Sequence, residues 1–485
     1  MTNVPVLVGA AAVQVTAEPG DGLDCGSLLV EAARQALTDA AGTQLASHVD
    51  LVLVTRGLSM LDDGAARIAD AIGSPEASVV AYEVGIPQQT LLNRAINAIR
   101  SGQARVVVVA GAETKRRDDL ARRAGLTLPP PPPGPGRCDQ LLAPEGEIVA
   151  RPEIDVGAVA PVQQYALIDS ARRAAYGWSL AEHRDDIAEL WESFNRVAAS
   201  NLAAAFPAPQ TKAELRDPSP TNRMLAFPYN KWHNSQWGVD QGSALVITSL
   251  EVARSCQIPS DRFVFPLVGV ESSQSLSLSR RAEMHRWPAM SVLGAAAAEH
   301  LGWPLTEVDA TELYSCFPAA VRVQQTELGL APDAPATITG GMSFAGGPFN
   351  NFVFQATVAM VQRLRSQTAT TGLVTAVSGL LTKPGLAVWS TRRPDGEVLI
   401  ADLAEQAAAV TETVPIDDEP AGPGTVASYT VVPVDEVPSR VVAIIDLDSG
   451  ARAVAAVTDT ALGQRVVEEE FIGARVAVTG RHFEL

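Results

Sequence analysis

The chain has 485 residues, and at about 150 residues per domain that length predicts roughly three domains. Apolar residues make up 47% and charged residues 19%, the balance of a globular protein, while 12 Phe, 7 Trp and 6 Tyr are too few for an aromatic nucleic-acid platform. Lys and Arg number 37 against 55 Asp and Glu, a net charge of −18, which excludes nucleic acid and anionic membrane surfaces as general partners.

In chain order, the first apolar run, Val6 to Val15, is too short to span a bilayer and lacks a basic flank, so it reads as a strand of a cytoplasmic protein. Leu91 to Ser101 predicts a helix stopped by Gly102, and Arg105 to Gly111 a strand buried on both faces. The strand–helix alternation lapses between about Thr114 and Trp232. That stretch holds a proline run, Pro129 to Pro133, and helical segments at Ala166 to Tyr176 and Ala181 to Ala203. The proline run fits either a stiff loop or a ligand for a proline-reading domain. Alternation resumes with strands at Leu245 to Thr248 and Leu373 to Val377 and a helix at Met290 to Leu301, which predicts layered α/β halves.

The last segment differs in kind. From Asp395 to Leu485 there are 17 acidic and 5 basic residues, so two-thirds of the net charge sits there. Short valine-rich strands are expected at Thr425 to Val434, Ser439 to Leu447, Ala451 to Val457 and Gly473 to Thr479, with a turn or helical piece at Glu468 to Gly473. These predict a small all-β barrel of the OB-fold type over 410–485. Its acidity opposes a nucleic-acid role and favours a scaffold or a surface that docks a partner protein. The cysteines, Cys25, Cys138, Cys256 and Cys316, are far apart, and the six histidines form no metal-ligand pattern, so neither disulfides nor a metal are expected.

Four stretches carry a more specific pattern. His233-Asn234-Ser235-Gln236-Trp237-Gly238-Val239-Asp240-Gln241-Gly242-Ser243-Ala244 closes the first half. Trp287-Pro288-Ala289 opens a helix, followed by Asp309, Glu312 and Leu313-Tyr314-Ser315-Cys316-Phe317. Thr339-Gly340-Gly341-Met342-Ser343-Phe344-Ala345-Gly346-Gly347-Pro348 comes third, and Val377-Ser378-Gly379 with Leu381-Thr382-Lys383-Pro384-Gly385 last. Cys316 to Gly347 and Gly347 to Ser378 are each 31 residues. In order and interval these stretches resemble those of thiolases, over about residues 5–393. The closest resemblance is to thiolase-like proteins that keep the scaffold and change its catalytic residues, with motifs of the sterol-carrier type.

The resemblance implies a five-layered α/β thiolase fold of two α/β/α halves. These would be an N-terminal half over 1–262 with an inserted loop domain at about 114–232, and a C-terminal half over 263–394, followed by the barrel. It also implies dimerisation through a strand matching Val79 to Val84, which Glu83 and the acidic appendage oppose. Its chemistry, cleavage or formation of a carbon–carbon bond next to a CoA thioester, needs a cysteine thiolate, a histidine that activates it and a second cysteine.

None of the three is at its expected place. The nucleophile's segment reads Gly85-Ile86-Pro87-Gln88-Gln89-Thr90, where Thr90 is the one hydroxyl and no base is evident. The Gly-His-Pro motif has become Gly346-Gly347-Pro348, and the Cys-x-Gly motif has become Val377-Ser378-Gly379.

The positions matching catalytic motifs are therefore Tyr314, Ser315, Cys316, Gly347 and Ser378. Those matching substrate-binding positions are Gly340, Gly341, Ser343, Gly346, Asn350, Gly379 and His233. Cys316 reads as a stand-in nucleophile or a small buried hydrophobe, and Tyr314 as an acid–base phenol or a backbone-bonding one. Lys115, Arg116, Arg117, Arg122 and Arg123 form a solvated face or a phosphate contact. Three functions follow: a thiolase-like protein without thiolase activity that binds CoA or acyl-CoA reversibly and carries no resident cofactor; a retro-aldol lyase on a β-hydroxyacyl-CoA using Tyr314; or a non-catalytic scaffold.

Overall fold

The computed structural model describes residues 3–485. Its N-terminal sheet has six strands, in the spatial order Pro5–Gln14, Asp240–Ser249, Val106–Thr114, Val49–Thr55, Ser78–Tyr82 and Gln140–Leu142. Every residue of Val106–Thr114 is buried, which explains its unbroken valine run: helices cover both faces of the sheet. Cys25–Asp39 and Gly64–Ala71 lie on the outer face, where their small and branched residues pack against Val6, Val52, Val108 and Val246.

The C-terminal sheet runs Ala310–Glu312, Thr371–Ser378, Lys383–Ser390, Phe265–Glu271 and Leu399–Asp402. Between the two sheets lie the helices Gln88–Arg100 and Phe352–Arg365, and Pro288–Leu301 covers the far face. The layers are helix, sheet, helix, sheet, helix, as expected. Leu399–Asp402 pairs in parallel with Phe265–Glu271, so the second half runs past residue 394. The reason is a return of the chain to the sheet edge before it leaves for the appendage.

Helices Pro161–Ala175 and Leu180–Ser200 form the insertion, the latter started by a capping box between Ser179 and Glu182. The insertion also returns Gln140–Leu142 to the sheet, where it pairs in parallel with Ser78–Tyr82. The edge expected to meet a second subunit is thus covered by the chain's own strand.

The last domain consists of Ala421–Val434, Val437–Leu447, Arg452–Thr458, Arg475–Thr479 and His482–Glu484, with the helix Thr460–Val466 between its third and fourth strands. The stretch Glu468 to Gly473, expected as a turn or helical piece, is a turn, and a helix precedes it, started by Asp459 accepting from the Leu462 N–H. A bond from the Ala456 N–H to the Arg481 carbonyl joins the outer strands, closing the barrel around Tyr429, Val441, Ile445, Val476 and Phe483.

The barrel is docked on the insertion. Ser428 Oγ donates to the Leu167 carbonyl at 2.6 Å, Thr430 Oγ1 to the Phe227 carbonyl at 2.8 Å, and Phe227 stacks on Tyr429. The fully buried Arg173 guanidinium pairs with Glu470. Arg452 Nη1 reaches the Arg281 carbonyl at 2.5 Å.

Candidate functional site

Three of the four matching stretches meet in one region between the halves, through Ser235 and Gln236, Ser315 and Cys316, and Met342 to Gly347. Gln88, at the start of the central helix Gln88–Arg100, accepts from the Val353 N–H at 2.8 Å and donates to Asn350 Oδ1 at 3.4 Å. Ser315 Oγ accepts from the Met342 N–H at 3.0 Å, and Ser343 Oγ donates to the Asn234 carbonyl at 2.9 Å. Gly340 and Gly341 both have positive φ, and their backbone lies directly against Ala198 and Phe194 of the insertion, leaving no room for a Cβ. These residues hold loops to one another and are fully enclosed.

Gly347 stands where the sequence pattern places a histidine. The segment after His233 lies across it: the Ser235 N–H donates to the Cys316 carbonyl at 3.0 Å, the Gln236 N–H to the Met342 carbonyl at 3.0 Å, and the Gly347 N–H to the Gln236 carbonyl at 3.0 Å. A Cβ at Gly347 would overlap Ser235 Oγ and lie 3.1 Å from the Met342 carbonyl oxygen. The position that a Cβ would take there is therefore occupied by Ser235 Oγ. Gly346 is likewise backed by the Gln241 amide.

Around Cys316 the surroundings are apolar and aromatic. Phe317 stacks on Tyr165 with ring centroids 4.4 Å apart, and Tyr314 meets Phe352 edge-on at 5.7 Å. Burial pushes the Cys316 thiol up to about 12, against a hydrogen bond with Tyr165 that lowers it. Burial likewise drives the Tyr314 phenol far above its ordinary value, with the neighbouring Cys316 adding to the effect. A phenol shifted upward keeps its proton, so Tyr314 can donate a hydrogen bond but is a poor base. Tyr165, carried by an insertion helix and 149 residues away from Tyr314 in sequence, joins the cluster without any signal in the motif pattern.

Other expected residues lie elsewhere. His233 is 2% exposed, its Nδ1 accepts from the Asn230 N–H at 3.1 Å, and burial lowers its pKa to about 3. It is a neutral core histidine packed against Tyr229. Ser378 and Gly379 end their strand beside Ile148 and Thr382, where Gly379, Leu380 and Leu381 all have positive φ. Thr90 does have a carboxylate partner: its hydroxyl donates to Glu271, which Asn93 Nδ2 also meets at 2.8 Å. Burial raises Glu271 to about 7. Glu271 lies 181 residues from Thr90, which kept the pair out of reach of local motifs. In the basic cluster Lys115 and Arg122 bond Asp119, Arg117 lies 3.5 Å from Asp118, and Arg116 bonds the Ala17 carbonyl, so most of its charge is already engaged.

Among the described residues no three His, Cys, Asp or Glu side chains cluster as metal ligands, and no helix is long and apolar enough to cross a membrane. None of the surface clefts of about 170, 540, 660 and 290 Å³ is lined by Tyr314, Cys316, Gly347 or Ser378.

No protein-family model and no curated protein sequence matches the chain. Solved structures do. The chain is similar to a monomeric SCP2-thiolase like protein type 1 from Mycobacterium smegmatis, with 29% identity, 99% of each chain covered and a TM-score of 0.84. It also shares a fold with an Ltp2-ChsH2(DUF35) aldolase, at 20% identity, covering 80% of this chain and 98% of that one with a TM-score of 0.61. With five layers, an inserted loop domain and the motif-bearing loops gathered between the halves, the chain belongs to the thiolase-like superfamily and adds a C-terminal β domain.

Proposed function

We propose that this chain is a thiolase-like protein related to the acetyl-CoA C-acyltransferases of acyl-CoA metabolism, without thiolase activity and with an acyl-CoA as its ligand. The observation that carries the loss of activity is Ser235 filling the space beside Gly347. The state of Cys316 supports it. A thiol at about 12 is ionised to about one part in 10⁵ at neutral pH, and only the thiolate attacks a thioester. The acyl-CoA rests on the family resemblance. Calorimetry with CoA and acetyl-CoA tests it: heat of binding is expected, and no heat with no thermal shift leaves a scaffold.

A second reading, retro-aldol cleavage of a β-hydroxyacyl-CoA, takes its support from Tyr165 and Tyr314 flanking Cys316 in a dry interior. Both phenols are proton donors there, suited to stabilising an enolate oxygen. Tyr314→Phe should then abolish product formation from a β-hydroxyacyl-CoA panel, and unchanged rates would remove this reading. The similar aldolase is named with a DUF35 component. By analogy we read the barrel, whose strand order is that of an OB-fold, as a partner module carried in cis. Its contacts with Leu167, Arg173, Phe227 and Arg281 occupy the face through which it would dock.

A further inference from the structure

Tyr314, Cys316 and Gly347 are buried, and no surface cleft is lined by any of them. A ligand as large as an acyl-CoA reaches them only if a covering segment moves. Ser235 and Gln236 are tied down across Gly347 by three backbone hydrogen bonds, which makes them part of the framework. Residues 143–149 are held differently. Their two ends are fixed: the Leu142 carbonyl accepts from the Glu83 N–H at 2.8 Å, and the Ala150 N–H donates to the buried Glu153 at 2.9 Å. Between these ends the backbone is neither helix nor strand, and among the described residues none of its groups bonds to another backbone group.

This strap crosses the segment Gly85–Thr90 and the loop at Ser378 and Gly379. A Cβ on Gly85 would lie 2.9 Å from the Pro144 ring, and one on Gly379 would lie 3.2 Å from the Ile148 side chain. Two side chains grip it. Lys383 Nζ donates to the Glu145 carbonyl at 3.0 Å and to the Gly85 carbonyl at 3.3 Å, and Ser275 Oγ donates to the Glu147 carbonyl at 2.8 Å. Lys383 is buried and its ammonium rests on carbonyls rather than on a carboxylate, a weaker hold than an ion pair. Under the strap Leu380 and Leu381 keep left-handed backbone, which for leucine persists only where the surroundings impose it.

We propose that residues 143–149 are a gate to the buried motif region, latched by Lys383, and that acyl-CoA enters when the strap lifts. This rests on the acyl-CoA reading above. Cleavage of the full chain by a glutamyl endopeptidase after Glu145 and Glu147 measures the lifting, because a protease needs the strap free of both loops. Lys383→Met removes the latch and should raise the cleavage rate about 10-fold, the weight of one hydrogen bond to a charged group. Gly146→Val should raise it too, since a Cβ there would lie 2.7 Å from Ser275 Cβ and pushes the exposed strap outward. Stopped-flow association of acetyl-CoA should accelerate in both variants, in the same order as the cleavage. Unchanged cleavage in both, or faster cleavage with equal association rates, would overturn the gate and leave the acyl-CoA reading standing. No binding by the parent or either variant would remove that reading, and the gate with it.

Discussion

At position 347 a missing imidazole and a filled space are two sides of one substitution: glycine lets the Asn234–Gln236 segment close over the loop, and Ser235 then needs it to be glycine. Gly347→Ala should cost about 1–3 kcal/mol in denaturant unfolding, the usual penalty for overpacking, and Gly347→His more. Combining Ser235→Gly with Gly347→Ala should recover most of that loss, whereas equal stability of Gly347→Ala and the parent would refute the overlap. The four cysteines give a second check. Cys25 and Cys316 are buried and pushed up to about 12, Cys256 is buried, and Cys138 alone is partly exposed. One thiol should therefore react quickly with a disulfide reagent at pH 8, and three only after unfolding. At this scale the sequence showed what was absent, since a lost cysteine or histidine is visible by position. It did not show what had replaced them, because Ser235, Tyr165 and Glu271 reach their partners from more than 80 residues away.

The elements themselves were more legible. Continuous valine runs and glycine stops located the strands around Val106–Thr114 and Thr371–Ser378 and the helix Pro288–Leu301, because buried parallel strands and capped helices have local signatures. The short strands Gln140–Leu142 and Leu399–Asp402 have none, since each is held by a neighbour rather than by its own pattern. Buried carboxylates tie such elements together. Glu113, 1% exposed, accepts from the Leu58 and Asn350 N–H groups and so links the loop after the second strand to the glycine-rich loop. Burial raises it from 4.5 to about 7, and Glu271 and Glu312 are raised to about 7 as well. Between these values the folded chain holds protons that the unfolded chain has lost. Stability should fall as the pH rises from about 4.5 to 7 and level off above, by on the order of 3 kcal/mol for Glu113. Glu113→Gln should flatten the slope of unfolding free energy over that window, and an unaltered slope would contradict the assignment.

Over the whole molecule, two features turn the scaffold inward. Gln140–Leu142 covers the sheet edge, so sedimentation should report a monomer at micromolar concentration. The acidic barrel, conspicuous in composition, is joined to the body by Arg173, Arg440 and Arg452, so its charge and its attachment are separate matters. Glu470→Gln leaves the fully buried Arg173 without its carboxylate. It should cost about 2 kcal/mol, less than for a fully enclosed pair because Glu470 is 46% exposed, and should speed proteolysis near the barrel linker. The central claim, a thiolase scaffold whose thiolytic site is closed, is tested most directly by acetoacetyl-CoA thiolysis with the purified chain and its Cys316→Ala variant. The predicted result is no turnover above the uncatalysed background with either protein. Turnover by the parent chain that the Cys316→Ala substitution removes would contradict it.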